Sequence, residues 1–246
     1  MEQRLNIFGQ PTGPVLDNWQ ARTLPEAVTL TGQYCRLEPL DAVQHTAYLC
    51  QAFDSATVNP ALWTYLSVGP FGDAQSFAAF INTIAVSRDP LYFVVVDLRS
   101  ERAVGLLSLM RTDVKNGVTE VGNVIFSPAL QQTRLSTEAH FLMMQYVFSA
   151  LNYRRYEWKC DSLNAPSRSA ALRLGFQFEG IFRQAVVYKG RSRDTAWFSV
   201  IDKDWPALKT AFQHWLSAGN FNDRGKQRCR LQQMIQQARA GASPHD

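Results

Sequence analysis

Alternating apolar and polar positions organise the chain from about residue 33 onward. Gln33 to Leu40 (QYCRLEPL) has the period of a half-buried strand, and Asp41 makes a good N-cap for a helix through AVQHTAYLCQAF. Aromatic and turn residues follow in NPALWTYLSVGPFGD. A second helix is expected over AQSFAAFINTIAVS, with Asp73 as its cap. Three strands come next: LYFVVVDL, AVGLLSLMRT and VTEVGNVIF. A tight link from Asp97 to Ala103 and a hairpin turn at Lys115 to Gly117 join them.

From Leu135 the pattern changes, and Leu135, Ala139, Leu142, Tyr146 and Ala150 recur at helical spacing. YRRYEWKC reads as a strand and SRSAALRLG as a helix that stops at Gly175, a suitable left-handed cap. FQFEGIFRQAVVYKG and RDTAWFSVID form a last hairpin around Lys189 to Ser192. Further helices are expected over Asp204 to Ala218 and Leu231 to Ala240. This order predicts a mixed α/β fold with a largely antiparallel sheet. It divides into a proline-containing arm over residues 1–30, one domain over 31–206, and a helical extension with a basic tail over 207–246.

Apolar residues make up 46% of the 246 positions and charged residues 19%, enough to build a substantial core and to exclude wholesale disorder. The longest apolar runs, such as Leu91 to Val96, fall far short of a bilayer span, and MEQRLNIFGQ lacks the apolar core of a signal peptide. A cytoplasmic protein with no membrane partner is the expectation. Cys35, Cys50, Cys160 and Cys229 are irregularly spaced and form no CxxC or Cys/His ligand pattern, so reduced thiols and no metal are expected. Charge shifts the picture little. Residues 222–246 carry five basic side chains against two acidic ones, while the rest of the chain holds 20 against 19. Basicity therefore belongs to the tail, and nucleic-acid binding rests on that tail alone.

Candidate chemistry gathers at two strand-to-helix junctions. VTEVGNVIF is followed by SPALQQTRLS and then the apolar helix, a place where unpaired helix amides present themselves to an anion. Gln131, Gln132, Thr133, Arg134, Leu135 and Ser136 line it, with no glycine; an ordinary helix start is the bland reading. GxGxxG, GxxxxGK[ST], GxSxG and HExxH do not occur, which removes the main support for P-loop, dinucleotide, nucleophile-elbow and zinc-protease chemistry. The second junction is DSLNAPSRSAALRLGFQFEG, after YRRYEWKC.

Taken together, the two junctions resemble the GCN5-related N-acetyltransferases (GNAT), especially the branch that includes the ribosomal-protein N-terminal acetyltransferases. Gln131 matches the start of that family's Q/RxxGxG/A turn, although Arg134 and Ser136 replace the two glycines. Asn164, Ser167 and Leu174-Gly175-Phe176 match its second turn and following helix. Glu179-Gly180, RDTAWFSVIDKDWP, LWTYLSVGPF and YCRLEPLD extend the likeness over residues 33 to 206.

The resemblance implies a GNAT fold and an acetyl-CoA cleft where the strand through Val124 and Ile125 parts from the strand ending at Cys160. Pantetheine would pair along Asn123 to Phe126, and the pyrophosphate would rest on amides from Gln132 to Thr137. Arg134 then either pairs with a phosphate or is a solvated arginine at a helix start. Asn164 and Ser167 complete the cofactor side. In many members a tyrosine seven residues after the asparagine is the acid; here that position is Ala171. Ser167 is its implied substitute, against a helix-cap role. Glu120 and Glu179 are candidate bases, or else surface carboxylates; Asp161 is a weaker option, and a water relay with no dedicated base is a further alternative. Trp63, Tyr65 and Phe71 fall in acceptor-side loops, though as isolated aromatics they more often belong to a core. The implied partners are acetyl-CoA and a primary amine, either a protein N-terminus or a small molecule. A non-catalytic acyl-CoA-binding regulatory module is the alternative. Leu231 and Met234 are candidates for a homodimer contact, and His140 is expected to be hydrogen-bonded and partly buried.

Overall fold

The computed structural model of the chain describes residues 5–54 and 56–241; the first four residues of the arm and the last five of the tail lie outside the described residues. The strands are β1 (Leu30–Thr31), β2 (Cys35–Pro39), β3 (Leu91–Asp97), β4 (Arg102–Asp113), β5 (Val118–Phe126), β6 (Arg155–Asp161), β7 (Gln177–Tyr188) and β8 (Arg191–Ile201). Helices α1 (Ala42–Ala52) and α2 (Ala74–Ala85) follow β2. Helix α3 (Arg134–Gln145) follows β5, α4 (Ala165–Arg173) follows β6, and α5 (Trp205–Leu216) and α6 (Leu231–Gly241) close the chain. The strands form one sheet in the order β1-β2-β3-β4-β5-β6-β8-β7. Every pairing is antiparallel except β5 with β6.

Local signals explain most of the elements. Asp41 accepts from the amides of Val43 and Gln44, and Asp73 forms a capping box with Ser76. The last hairpin turns through Lys189 and Gly190, both with positive φ (47° and 69°), the twist a two-residue turn needs to match its strands. Two cores result. On one face Leu37, Phe93, Val121, Tyr156, Trp158 and Phe198 pack beneath α3, α5 and α6. On the other, Val94, Val96, Leu106 and Ile125 pack beneath α1 and α2.

Helix α3 is almost wholly buried, and it carries a carboxylate. Glu138 accepts from the backbone amides of Gln33 (2.7 Å), Tyr34 (2.7 Å) and Cys35 (2.8 Å), fixing the β1–β2 turn against the helix. A Cβ on Gly32 would lie 2.5 Å from that carboxylate, so a larger residue there would have to push Glu138 off these amides. His140, two residues further along the same helix, departs from expectation. It is fully enclosed between Phe126 and Trp158, its Nδ1 has no hydrogen-bond partner, and burial pushes its pKa down to about 3. It is therefore a neutral core residue.

The arm lies along the domain. Arg22 donates its amide to Val114 O (2.8 Å), Trp19 donates its indole N–H to Lys115 O (3.0 Å), and Tyr153 donates its hydroxyl to Thr23 O (2.8 Å). At the other end α6 packs on α5, burying Leu231 and Ile235, and Arg239 donates to Gly175 O (2.9 Å). Leu231 is thus used inside the chain, which corrects its reading as a dimer contact.

Glu138→Ala is expected to cost about 3 kcal/mol, because it strands three amide donors that a charged acceptor now satisfies. Urea unfolding checks this: a midpoint unchanged from wild type would show that the β1–β2 turn does not depend on α3.

Candidate active site

The sheet opens at one point. β5 and β6 pair in parallel from Val118↔Arg155 to Val121↔Trp158, and there the ladder stops. Beyond it β5 runs on to Phe126 against β4, and β6 runs on to Asp161 against β8. The parting coincides with an irregularity in β5. Asn123 has φ 49°, and the register with β4 shifts between Leu106 and Ser108. Ser108 pins the bend, its hydroxyl donating to Gly122 O (3.0 Å) while Asn123 Nδ2 donates to Ser108 Oγ (3.1 Å). Past Val121, then, the β5 edge toward β6 has no strand beside it. Val124 is half-buried, Ile125 belongs to the α1/α2 core, and Phe126 packs on His140.

The turn after Phe126 leads into α3. Leu130 and Gln131 donate their amides to Ser127 O (2.9 and 3.0 Å), and the Gln131 side chain donates to Phe126 O (2.8 Å). Thr133 is the N-cap: its hydroxyl accepts from the Ser136 amide (3.2 Å) and donates to Leu130 O (2.6 Å). Without glycine at Arg134 and Ser136, both residues take helical geometry, and the left-handed residue is Gln132 (φ 59°). Ser136 turns its hydroxyl back onto Thr133 O (2.8 Å). Arg134 lies between two rings, 5.0 Å from the Tyr34 centroid and 4.3 Å from that of Phe221. The guanidinium is thus held against aromatic rings rather than standing free in solvent. This placement also clears bulk from the helix start, where the amides of Arg134 and Leu135 lack intrahelical acceptors. Thr137 accepts a hydrogen bond from Arg173 of α4, tying the start of α3 to the end of α4.

At the second junction Asp161 Oδ1 accepts from the Leu163 amide (2.8 Å), and Asn164 caps α4 by accepting from the Ser167 amide (3.1 Å). The cap role belongs to Asn164, which leaves the Ser167 hydroxyl available. That hydroxyl accepts from Trp158 Nε1 (3.0 Å), so its proton points elsewhere, and it reaches the Cys160 thiol. Burial pushes that thiol up. Tyr65 donates its hydroxyl to Leu163 O (3.2 Å), linking the loop before α2 to this turn.

Across the opposite face of β5, β6 and β8 runs a set of paired charges. Glu120 sits on the rung before the ladder ends, opposite Glu157. Lys159 Nζ lies 2.9 Å from Glu120 Oε2 and 2.7 Å from Glu157 Oε2, and 3.8 Å from the centre of the Trp197 ring. Desolvation raises the Glu120 pKa, opposed by Lys159 and Arg111. Arg155 bonds Glu157 (2.7 Å) and holds Glu179 bidentately (2.7 and 2.5 Å); Ser199 adds a bond to Glu179 (2.6 Å). The Arg155 guanidinium keeps Glu179 below the usual carboxylate range. Both candidate bases are ion-paired, Glu179 bidentately to Arg155 at the more exposed edge and Glu120 to Lys159 at the buried vertex. Trp63 is a core residue and Phe71 a half-buried one packed against it, 5.1 Å apart edge to face and both in contact with Phe77. Lys189, at the tip of the β7–β8 turn, donates to Trp63 O (2.7 Å) and Val68 O (3.1 Å), and Tyr188 donates to Asp161 (2.9 Å). Loop and hairpin so close the far end of β6. Lys159, Glu157, Arg155 and Trp197 went unremarked in the sequence, although Arg155, Glu157, Lys159 and Asp161 alternate along one strand and signal a charged face. Among the described residues, no group of three or more His, Cys, Asp or Glu is placed to hold a metal.

Comparison with known proteins agrees with this geometry. A family model described as an acetyltransferase (GNAT) domain matches residues 36–177. The crystal structure of a GCN5-related N-acetyltransferase from Brucella melitensis is 47% identical, with TM-score 0.88, covering 90% of this chain and all of that one. A structure from Chromobacterium violaceum, titled among "probable acetyltransferases (GNAT family)", is 41% identical with TM-score 0.74, over 80% of this chain and 98% of that one. The "Uncharacterized N-acetyltransferase p20" of Bacillus licheniformis is 26% identical over 160 residues, 64% of this chain and 87% of its own.

Trp63→Ala is expected to cost about 3–5 kcal/mol in stability, as for a buried aromatic in a core. A urea midpoint close to wild type would return Trp63 to the cleft wall.

Proposed function

Since the chain belongs to the GNAT acetyltransferase family, we propose that it transfers an acetyl group from acetyl-CoA to a primary amine by direct attack on the thioester. The observation that carries this reading is the placement of Glu120. Its carboxylate is buried at the last paired rungs of β5 and β6, on the face opposite α3. Donor and acceptor thus approach one vertex from opposite faces of the sheet.

The residues present fit the donor. The free β5 edge from Asn123 to Phe126 can hydrogen-bond an extended pantetheine arm, and the α3 turn from Gln132 to Thr137 presents amides to a pyrophosphate. Acetyl-CoA supplies an activated acyl group. Glu120 accepts the proton of the arriving ammonium, freeing its lone pair for the acyl carbon. As the new C–N bond forms and the C–S bond breaks, Ser167 donates a proton to the departing sulfur and regains one as the nitrogen sheds its second proton. Ser167 takes this role because the tyrosine position is filled by buried Ala171. That substitution, with LGF at 174–176, aligns the chain with the ribosomal-protein N-terminal acetyltransferases, and a protein N-terminus or small amine is the proposed acceptor. Half-exposed Trp197, its ring tilted against Phe182 at 4.4 Å, would meet it on the acceptor side. Among the described residues no helix is long and apolar enough to cross a membrane. Four free cysteines suit the reducing cytoplasm as the place of action.

Calorimetric titration with acetyl-CoA is expected to show micromolar binding that weakens in the Asn164→Ala, Ser167→Ala double variant. In a free-thiol release assay over a panel of amines, Glu120→Gln is expected to lower kcat/KM by about 10²–10⁴-fold while leaving acetyl-CoA binding intact. The reaction needs ionised Glu120, so activity falls as pH drops through its pKa. Because burial raises that pKa, the acid limb lies above the ordinary glutamate range. Binding without thiol release for any amine would identify an acyl-CoA-binding module instead.

A further inference from the structure

We propose that Lys159 is a positioning residue for this reaction, clamped so that its ammonium holds the Glu120 carboxylate ionised and aimed at the vertex of the cleft. The inference rests on the reading of Glu120 as the base. Lys159 leaves β6 on the charged face, directly opposite Trp197 of β8, and its stem is covered so well that only 8% of the side chain is exposed. The Trp197 ring on one side and two carboxylates on the other fix the ammonium in place. An ammonium so enclosed cannot be replaced by solvent, and it acts in a low dielectric where opposite charge counts most.

Every charged group facing Glu120 has a place in this balance. From β4, Arg111 stands 3.7 Å away, but its side chain is 60% exposed and screened by water. From β6 come Lys159, which favours the ionised carboxylate, and Glu157, which opposes it. β8 contributes the Trp197 ring beneath Lys159 and no charge of its own at this point. Glu157 is itself neutralised by Arg155, which leans on Glu179. Lys159 is therefore the one buried cation among the described residues that touches Glu120. The contact is close but not directed: Glu120 Oε2 lies 2.9 Å from Nζ yet receives no aligned hydrogen bond. The charge of Lys159 beside this buried oxygen favours the anionic carboxylate.

The test follows the carboxyl itself and the reaction together. In protein labelled with ¹³C at the glutamate carboxyl, the signal missing from Glu120→Gln identifies Glu120, and its titration midpoint is compared with the acid limb of kcat/KM. Lys159→Met is expected to raise both by about one pH unit or more, and Lys159→Arg to return both toward wild type. Glu157→Gln, which removes the like charge, is expected to move both down. An unmoved Glu120 midpoint in Lys159→Met and Glu157→Gln would overturn the proposal. A midpoint that moves while the acid limb stays put would show that Glu120 is not the base, and the positioning role would fall with it. If Lys159→Met does not fold, Glu157→Gln and Lys159→Arg still decide the sign.

Discussion

The rest of the site depends on where β5 and β6 stop pairing. Parallel rungs hold from Val118 to Val121, and then the strands take other partners. Had the ladder continued, the β5 edge would be satisfied and α3 and α4 would start side by side over closed sheet. Because it ends, backbone donors and acceptors are left beside two helix starts, an arrangement that needs a polar, extended partner. The bend at Asn123, pinned by Ser108, and the switch of β6 to β8 keep the gap open without leaving either strand loose.

The two faces of the sheet meet this gap differently. Under α3 the surroundings are apolar and aromatic, and the one carboxylate there, Glu138, is spent on three amides of the β1–β2 turn. On the other face β6 presents Arg155, Glu157, Lys159 and Asp161, each with a partner. A buried charge survives only when paired, so the network is itself a reason for Glu120 to remain at the vertex. Its cost in desolvation is offset by a chain of opposite charges that reaches the β7 edge at Glu179.

Much of this was legible in the sequence, for reasons that are local. Caps at Asp41 and Asp73 act through their own neighbours, and the alternation of β3 to β5 reports burial directly. The vertex itself followed from the likeness at two strand-to-helix junctions. Other features were not legible because they depend on distant partners. Nothing near Arg134 announces Phe221, 87 positions later, as the ring that draws its guanidinium away. Trp63 and Phe71 had the composition of a binding loop, and only packing against Phe77 shows Trp63 to be core with Phe71 half-buried against it. Glu120 and Glu179 look alike on the page; the difference is that Arg155 reaches one of them with both nitrogens. The β1 pairing at Leu30–Thr31 was too short for any periodicity to reveal.

The most direct measurement of the central claim is a crystal structure of the protein with acetyl-CoA bound. The account predicts the pantetheine arm along β5 past Val121, the pyrophosphate on the amides that open α3, and the sulfur on the Ser167 side of the gap. The acetyl carbon should then face Glu120. Acetyl-CoA bound away from the β5–β6 gap, or a gap closed by further β5–β6 rungs, would contradict it.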